Sequence, residues 1–379
     1  MADVIAAGYH AGRPGAIAAF RPAGAPPSRP PQIRPDAPAP CRGVRSEAMR
    51  RLSRRALAAT LPGLAASPGR AQPVAAAYPA APITLVSPFS PGGAADLAAR
   101  LLARHAPPHL PNRQALLLVE NRAGASGAVG TQFVHRAKPD GLTLLLARVA
   151  SAAILPAIDI RTPYAWDEFT MLGLLEDTPF VVCVRADAPW DRLQDLLIVL
   201  REQPGRIAFS TTGPATIQDL GMRHLFATAG LPIDAGLAMP FRGGGEAVAA
   251  LLDGRVQLLG TNLNEALPAL QDGRLRGLVI GTPERLRVLP AVPTAREVEL
   301  PALVGVTGWS ALFAPPALAE PASQAWVAAL AALRGDAAWQ AAVRTTGGIP
   351  RLLPPEATRD YVRSQVALYR ELGRRLGLI

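Results

Sequence analysis

From Pro82 onward the chain repeats one unit: an apolar run of strand length, a turn of Gly, Pro, Ser or Thr, then apolar residues at helical spacing. That order restricts the fold to parallel sheets with helical crossovers. Residues 83–88 (ITLVSP) read as the first strand, Pro91-Gly92-Gly93 as its turn and 94–105 as a helix. Residues 115–119 and 142–147 read as strands flanking a helix at 128–137, which completes β-α-β-α-β. The apolar stretches at 169–184 leave little room for helices and are expected to be two or three strands leaving this first lobe. A second lobe repeats the pattern, with a helix at 192–202, a strand at 206–210, the turn Thr211-Thr212-Gly213-Pro214 and a helix at 215–229. It continues with strands at 237–240, 256–260 and 275–281 and helices at 246–252 and 264–271. Residues 304–314 read as a strand returning to the first lobe, where helices at 322–334 and 355–376 are expected to pack. The chain therefore crosses between lobes twice, which makes a hinge, and a cleft between α/β lobes is where small ligands bind.

At 379 residues the chain can build two cores. Its hydrophobic fraction is 49% but only 5% is aromatic, as in a helix-and-sheet protein built on Ala, Leu and Val. The longest apolar stretch, 143–160, is interrupted by Arg148 and Asp159, so it is not expected to span a membrane. The net charge of +10 sits mainly at the front: residues 1–71 hold 11 of the 39 basic and 3 of the 29 acidic residues, leaving 28 against 26, or +2. Nucleic-acid binding is not expected of so balanced a remainder. Residues 1–48 are rich in Pro, Ala, Gly and Arg without periodicity, and are expected to be disordered or untranslated. From Met49 a basic segment, a short apolar stretch and a small-residue end form an export signal over 49–71; Ser53-Arg54-Arg55 leaves the twin-arginine route open beside the general one. A periplasmic location follows from that signal. The exported part keeps one cysteine, Cys183, which reads as a small buried hydrophobe.

In both lobes a strand ends in a small-residue turn that opens directly into a helix. The first helical N–H groups have no internal acceptor and lie at the positive end of the macrodipole, so each turn is suited to an anion. In the first lobe Gly92, Gly93 and Ala94 would donate; in the second Thr211, Thr212 and Gly213 would, with hydroxyls from Thr211, Thr212 and Thr216. Two facing sites could grip both ends of a dicarboxylate. Either turn taken alone also has a reading in backbone geometry, and Asp96 has its commonest role in stabilising the helix's first turn. Nucleotide sites fail on detail, since the 90–96 turn lacks the Lys and Ser or Thr of a phosphate loop and no G-x-G-x-x-G follows the first strand. Gly124-Ala125-Ser126-Gly127 is not a nucleophile elbow, and His105, His109, His135 and His224 show no motif that would serve it. No catalytic residue, metal site or cofactor is expected.

Several ordered segments carry a family resemblance: PITLVSPFSPGGAADLAARLLA at 82–103, VENRAGASGAVGT at 119–131, KPDGLTLLLA at 138–147, FSTTGPAT at 209–216, PFRGGGEAVAALLDGRV at 240–256, LPALQDGRLRGLVI at 267–280, LPAVPTAREVELP at 289–301 and GWSALFAPP at 308–316. Over nearly all of 78–378 the chain resembles the Bug-type extracytoplasmic solute receptors, the substrate-binding component of tripartite tricarboxylate transporters. The resemblance implies a type II periplasmic-binding-protein fold, two α/β lobes joined by a two-crossing hinge with the ligand cleft between them. Residues 78–179 with 305–379 would form lobe 1 and 180–304 lobe 2. It implies a monomeric, flytrap-like receptor without enzymatic activity. Its partners would be a small carboxylate (a di- or tricarboxylate, an aromatic carboxylate or an amino acid) and the membrane permease subunits. Carried over by motif, the ligand contacts would be Phe89, Ser90, Gly92, Gly93, Ala94 and Asp96, then Arg148, Ala150 and Ser151, then Thr211, Thr212, Gly213 and Thr216. Three positions depart from the family: Ser90 stands for a usual Pro, Asp219 for a common His, and Arg148 for a small residue. At the end of a parallel strand Arg148 would point to the cleft, where its fork could take a carboxylate in two hydrogen bonds, or it would swing out to a surface acid. Trp309 would line the hinge side of the pocket or belong to the core. An orphan binder that senses its ligand for a signalling partner, and an enzyme, stay open as alternatives.

Overall fold

One strand runs through both halves of the molecule and takes part in the sheet of each. The computed structural model describes residues 78–379, so the extension at 1–48 and the export signal at 49–71 lie outside the described residues. The first half builds β1 (Ile83–Ser87), α1 (Ala94–His105), β2 (Leu117–Asn121), α2 (Ala128–His135), β3 (Thr143–Arg148) and the short α3 (Leu155–Ile158). The long strand β4 (Thr170–Arg185) then leads to α4 (Leu193–Glu202), β5 (Ala208–Thr211), α5 (Ile217–Thr228), β6 (Leu237–Pro240), α6 (Gly244–Leu252), β7 (Leu258–Asn262), α7 (Leu263–Gln271) and β8 (Leu275–Ile280). The return is β9 (Thr307–Ala314), followed by α8 (Glu320–Leu333), α9 (Ala337–Thr345), β10 (Ile349–Leu353) and α10 (Pro355–Arg375).

The first lobe's sheet runs β2-β1-β3-β9-β4, with β10 also on β4; the second lobe's runs β4-β7-β5-β6, with β8 on β4. β1 is parallel to β2 and β3, and β5 is parallel to β6 and β7, as strand-helix-strand units require. β9 returns antiparallel to both β3 and β4. Along β4 the pairing changes at one point: residues through Pro179 face β9, and from Phe180 onward they face β7 and β8. A proline suits that switch, because a missing N–H interrupts no continuous ladder there.

Where the sequence suggested two or three short strands at 169–184, the structure has this single strand. The run Glu176-Asp177-Thr178-Pro179 looks like a turn in sequence. Glu176 is instead buried and hydrogen-bonded, so it does not end the strand. The second strand lies two residues later than expected, and α9 and β10 were not anticipated. α9 is anchored by buried Trp339 and capped by Asp336, whose carboxylate accepts the N–H groups of Ala338 and Trp339.

Helix α1 turns an alanine face, Ala95, Ala98 and Ala99, onto the first sheet together with Leu102. Small side chains let this helix lie close to the strands, and Leu102, fully buried, contributes about 1.5–3 kcal/mol by burial. β3 and the second half of β4 are apolar on both faces, as strands covered by helices on both sides must be. Trp309 is fully buried and packs edge-on to Tyr361, 6.1 Å between ring centres, which places it in the core and not at the pocket.

Cys183 sits in the same β4 core with no exposed surface, and burial pushes its thiol up to about 12. Native protein should therefore resist alkylation at Cys183 at neutral pH, and denatured protein should react. Peptide mass spectrometry after iodoacetamide treatment checks this; prompt labelling of the folded chain would contradict the packing.

Candidate functional site

The C-terminal ends of β1 and β3 in the first lobe and of β5 and β7 in the second converge where the lobes meet. A small cavity lies there, about 30 Å³, lined by Phe89, Ser90, Gly93, Ala94, Ala95, Arg148, Val149, Ala150, Thr212, Thr216, Ile217, Gln218, Gly244, Asn262 and Glu265. Its size suits one or two waters. A wider chamber of about 290 Å³ adjoins it at the mouth, sharing Phe89, Ser90 and Thr212 and adding residues 123–127, Phe241 and Arg242. The lobes touch around this mouth: the Ser90 hydroxyl donates to the Arg242 carbonyl at 3.0 Å and the Ser126 hydroxyl to the Pro214 carbonyl at 2.5 Å.

Arg148 ends β3 and is 3% exposed. It does not swing out to a surface acid. Its Nη1 donates to the Ser310 hydroxyl at 2.6 Å, and that hydroxyl donates to Glu176 Oε1 at 3.0 Å, so a cation on β3 is linked through β9 to a carboxylate on β4. Burial pushes the Arg148 guanidinium down, while Glu176 and Glu265 act in the opposite direction. Burial likewise pushes the Glu176 carboxyl up, against the pull of Arg148 and Ser310. The guanidinium nevertheless stays charged, since its ordinary value is so far above neutrality. It carries five N–H donors, and the bond to Ser310 is its one side-chain hydrogen bond among the described residues. The rest of that donor capacity belongs to a residue on the cavity wall.

Of the residues expected from sequence, Phe89, Ser90, Gly93, Ala94, Arg148, Ala150, Thr212 and Thr216 meet at the cavity. Gly92, Asp96, Ser151, Thr211 and Gly213 do not line it, and each has a physical reason. The Gly92 N–H donates to Asp96 Oδ2 at 3.0 Å, and Arg100 Nε donates to the same oxygen at 2.8 Å, so Asp96 fixes the turn and turns away from any anion. Gly92 adopts φ 78°, the left-handed conformation that makes such a turn possible without a side-chain penalty. Ser151 is fully buried in a π-helical turn after β3. The Thr211 and Thr216 hydroxyls both donate to the Gly213 carbonyl, at 3.1 and 2.7 Å, which holds the second-lobe turn in shape.

Sequence reasoning missed Gln218, Gly244, Asn262 and Glu265. Glu265 lies on α7, far from either glycine turn in sequence, yet its Oε1 accepts the Ala94 N–H at 3.1 Å. Its Oε2 accepts from Gln218 Nε2 at 3.2 Å and from the Thr261 hydroxyl. Gln218 in turn accepts from the Thr212 hydroxyl at 3.0 Å. The Ala94 N–H, the Gln218 amide and the Thr261 hydroxyl thus meet on one protein carboxylate, while the Gly213 N–H is directed to the Thr211 hydroxyl within its own turn. Asn262 Oδ1, on the cavity wall, is buried and without a donor. Among the described residues no group of His, Cys, Asp and Glu could hold a metal, and no helix is long and apolar enough to cross a membrane.

The profile of the family described as "Tripartite tricarboxylate transporter family receptor" matches residues 100–332. Protein BugT of Bordetella pertussis is 30% identical over 324 residues, covering 82% of this chain and 95% of the relative. A UPF0065 protein encoded in the tcbD-tcbE intergenic region of a Pseudomonas species is 33% identical, covering 79% and 89% respectively. Among solved structures, the periplasmic binding protein BugD superposes with TM-score 0.74 at 27% identity, over 79% of this chain and 99% of its own. MatC from Rhodopseudomonas palustris, solved with bound malate, gives TM-score 0.72 at 26% identity, over 78% and 99%.

The Asp96 contacts predict a pH dependence. Burial alone would raise its carboxyl, but Arg100 and the Gly92 N–H outweigh it and hold the carboxyl below its ordinary 3.8. A depressed folded-state value means that the ionised carboxylate stabilises the fold above the unfolded-state value, and that this contribution is lost as pH falls through the folded-state value. Urea unfolding at about pH 7 and about pH 3 should show wild type losing more stability on acidification than Asp96→Asn. Equal losses would remove Asp96 from the role of turn clamp.

Proposed function

The chain belongs to the tripartite tricarboxylate transporter receptor family, a family of solute-binding proteins and not of enzymes, and from that premise we propose that it captures a small carboxylate between its lobes in the periplasm and presents it to membrane permease subunits. The observation that carries this reading is Arg148: a buried cation on the wall of an inter-lobe cavity, with guanidinium donors unspent on the protein itself. A planar guanidinium in a water-poor site is suited to a carboxylate taken through two parallel N–H bonds. Ala94 and the small residues around it let a ligand approach backbone N–H groups, and the mouth chamber gives room for the rest of the molecule. Malate, the ligand of MatC, is a reasonable first member of the class.

The proposed lobe limits are 78–179 with 305–379, and 180–304. They follow the change of partner along β4 at Pro179 and the start of β9 at Thr307. Opening at those two crossings would admit the ligand, and closure would present a shape that a permease can read. The leader at 49–71 supports export, and the protein is proposed to act as a monomer.

A thermal-shift and calorimetric panel of mono-, di- and tricarboxylates, malate included, tests the reading: at least one should raise the melting temperature with saturable binding. Replacing Arg148 alone would strand Glu176, so the informative variant is Arg148→Gln combined with Glu176→Gln. It should fold and bind the selected carboxylate about 30-fold or more weakly. Unchanged affinity in that variant would rule out Arg148 as the carboxylate's partner.

A further inference from the structure

The donor cluster that should receive a ligand's carboxylate already holds a carboxylate of the chain. The Ala94 N–H, the first of α1, points at Glu265 Oε1. α6 starts beside the same group: a Cβ built on Gly244 would fall 2.0 Å from Glu265 Oε1, and one built on Gly93 would lie 3.7 Å from that oxygen. Two helix starts, one from each lobe, thus converge on one side-chain anion. Both ends carry partial positive charge, so bringing them together without an anion between them is unfavourable. Gln218 and Thr261 complete the set of neutral donors from the second lobe. Glu265 therefore bonds across the cleft, from α7 in one lobe to α1 in the other. Nearby, Arg148 feels the Glu265 charge and Asn262 Oδ1 stays without a donor, so the surrounding wall is not saturated by protein groups.

We propose that Glu265 is a built-in competitor for the ligand's carboxylate: a tethered anion that latches the lobes together through Ala94 and must be displaced before a free carboxylate can take the same donors. The idea rests on the carboxylate-receptor reading above and adds the residue that sets its selectivity. A tethered group competes at an effective concentration fixed by its attachment, so it raises the threshold for every weak monodentate acid. A ligand able to engage Arg148 as well gains a contact that Glu265 does not offer it in exchange. The latch thus selects carboxylates with a second anchoring group. Gly244 is needed because any side chain there would push the Glu265 carboxylate out of its seat.

The test compares wild type with Glu265→Gln, which keeps the shape, and Glu265→Ala, which removes the group. Small-angle X-ray scattering of the full protein, without added carboxylate, reads the latch directly. Both variants should have a larger radius of gyration than wild type, and Gly244→Ala should expand likewise while keeping the charge. Calorimetric titration with malate, succinate and acetate reads the competition. Both Glu265 variants should bind malate or succinate about 10-fold more tightly than wild type, and acetate should gain measurable binding. Identical scattering in all proteins, or weaker carboxylate binding by Glu265→Gln, would overturn the proposal. If no carboxylate binds any of them, the receptor reading fails, while the scattering still decides whether Glu265 holds the lobes together.

Discussion

A guanidinium taken out of water needs partners, and the way Arg148 gets them determines the rest of the site. Desolvating such an ion costs several kcal/mol, which only a well-placed counter-charge and hydrogen bonds offset. Here the bridge runs from Arg148 on β3 through Ser310 on β9 to Glu176 on β4. These three strands are neighbours at the centre of the first sheet, and β4 and β9 are also the strands nearest both crossings. The charge that faces the cavity is therefore mounted on adjacent paired strands of the first sheet, next to the crossings between the lobes. The bridge also explains a carboxylate in the middle of a long buried strand, which packing alone would disfavour.

The two lobes contribute different things to the cleft. The first supplies fixed elements: the guanidinium, and a turn locked by Asp96 gripping the Gly92 N–H. The second supplies polar side chains tied to one another, Thr212 to Gln218 and Gln218 to Glu265. A hinge closing such halves brings a stiff donor array against an adjustable polar one. If the proposed ligand is a small acid, that division would let the receptor grip it and still release it, because rearranging hydroxyls and amides is easier than moving the buried Arg148-Ser310-Glu176 chain.

Much of the fold was legible because strand, glycine turn and helix leave separate traces in sequence. The first-lobe turn and the Thr212 and Thr216 positions were read from those traces, whereas Arg148 came from the family resemblance together with its place at the end of a strand. Glu265 was not, because its importance comes from a contact between residues 171 positions apart, and nothing local on α7 distinguishes it from a solvated helix acid. Asp96 was ambiguous for the opposite reason: its role is local, and only the geometry shows its carboxylate turned back on Gly92. The long strand β4 was read as several pieces since Glu176 and Pro179 look like breakers until their partners are seen. α9 was overlooked because only Trp339 and Val343 of it are buried, which leaves too thin an apolar face to mark it in sequence.

On the proposal that the ligand is a carboxylate, it and the protein's own Glu265 would compete for the same few donors between the lobes. A crystal structure of the protein grown with the carboxylate that most raises its melting temperature examines this most directly. The expected result is a carboxylate within hydrogen-bonding distance of the Arg148 guanidinium and the Ala94 N–H, with the Glu265 carboxylate moved aside. An acid bound elsewhere, for instance in the second-lobe groove beside Val288 and Val292, with Arg148 untouched, would contradict it.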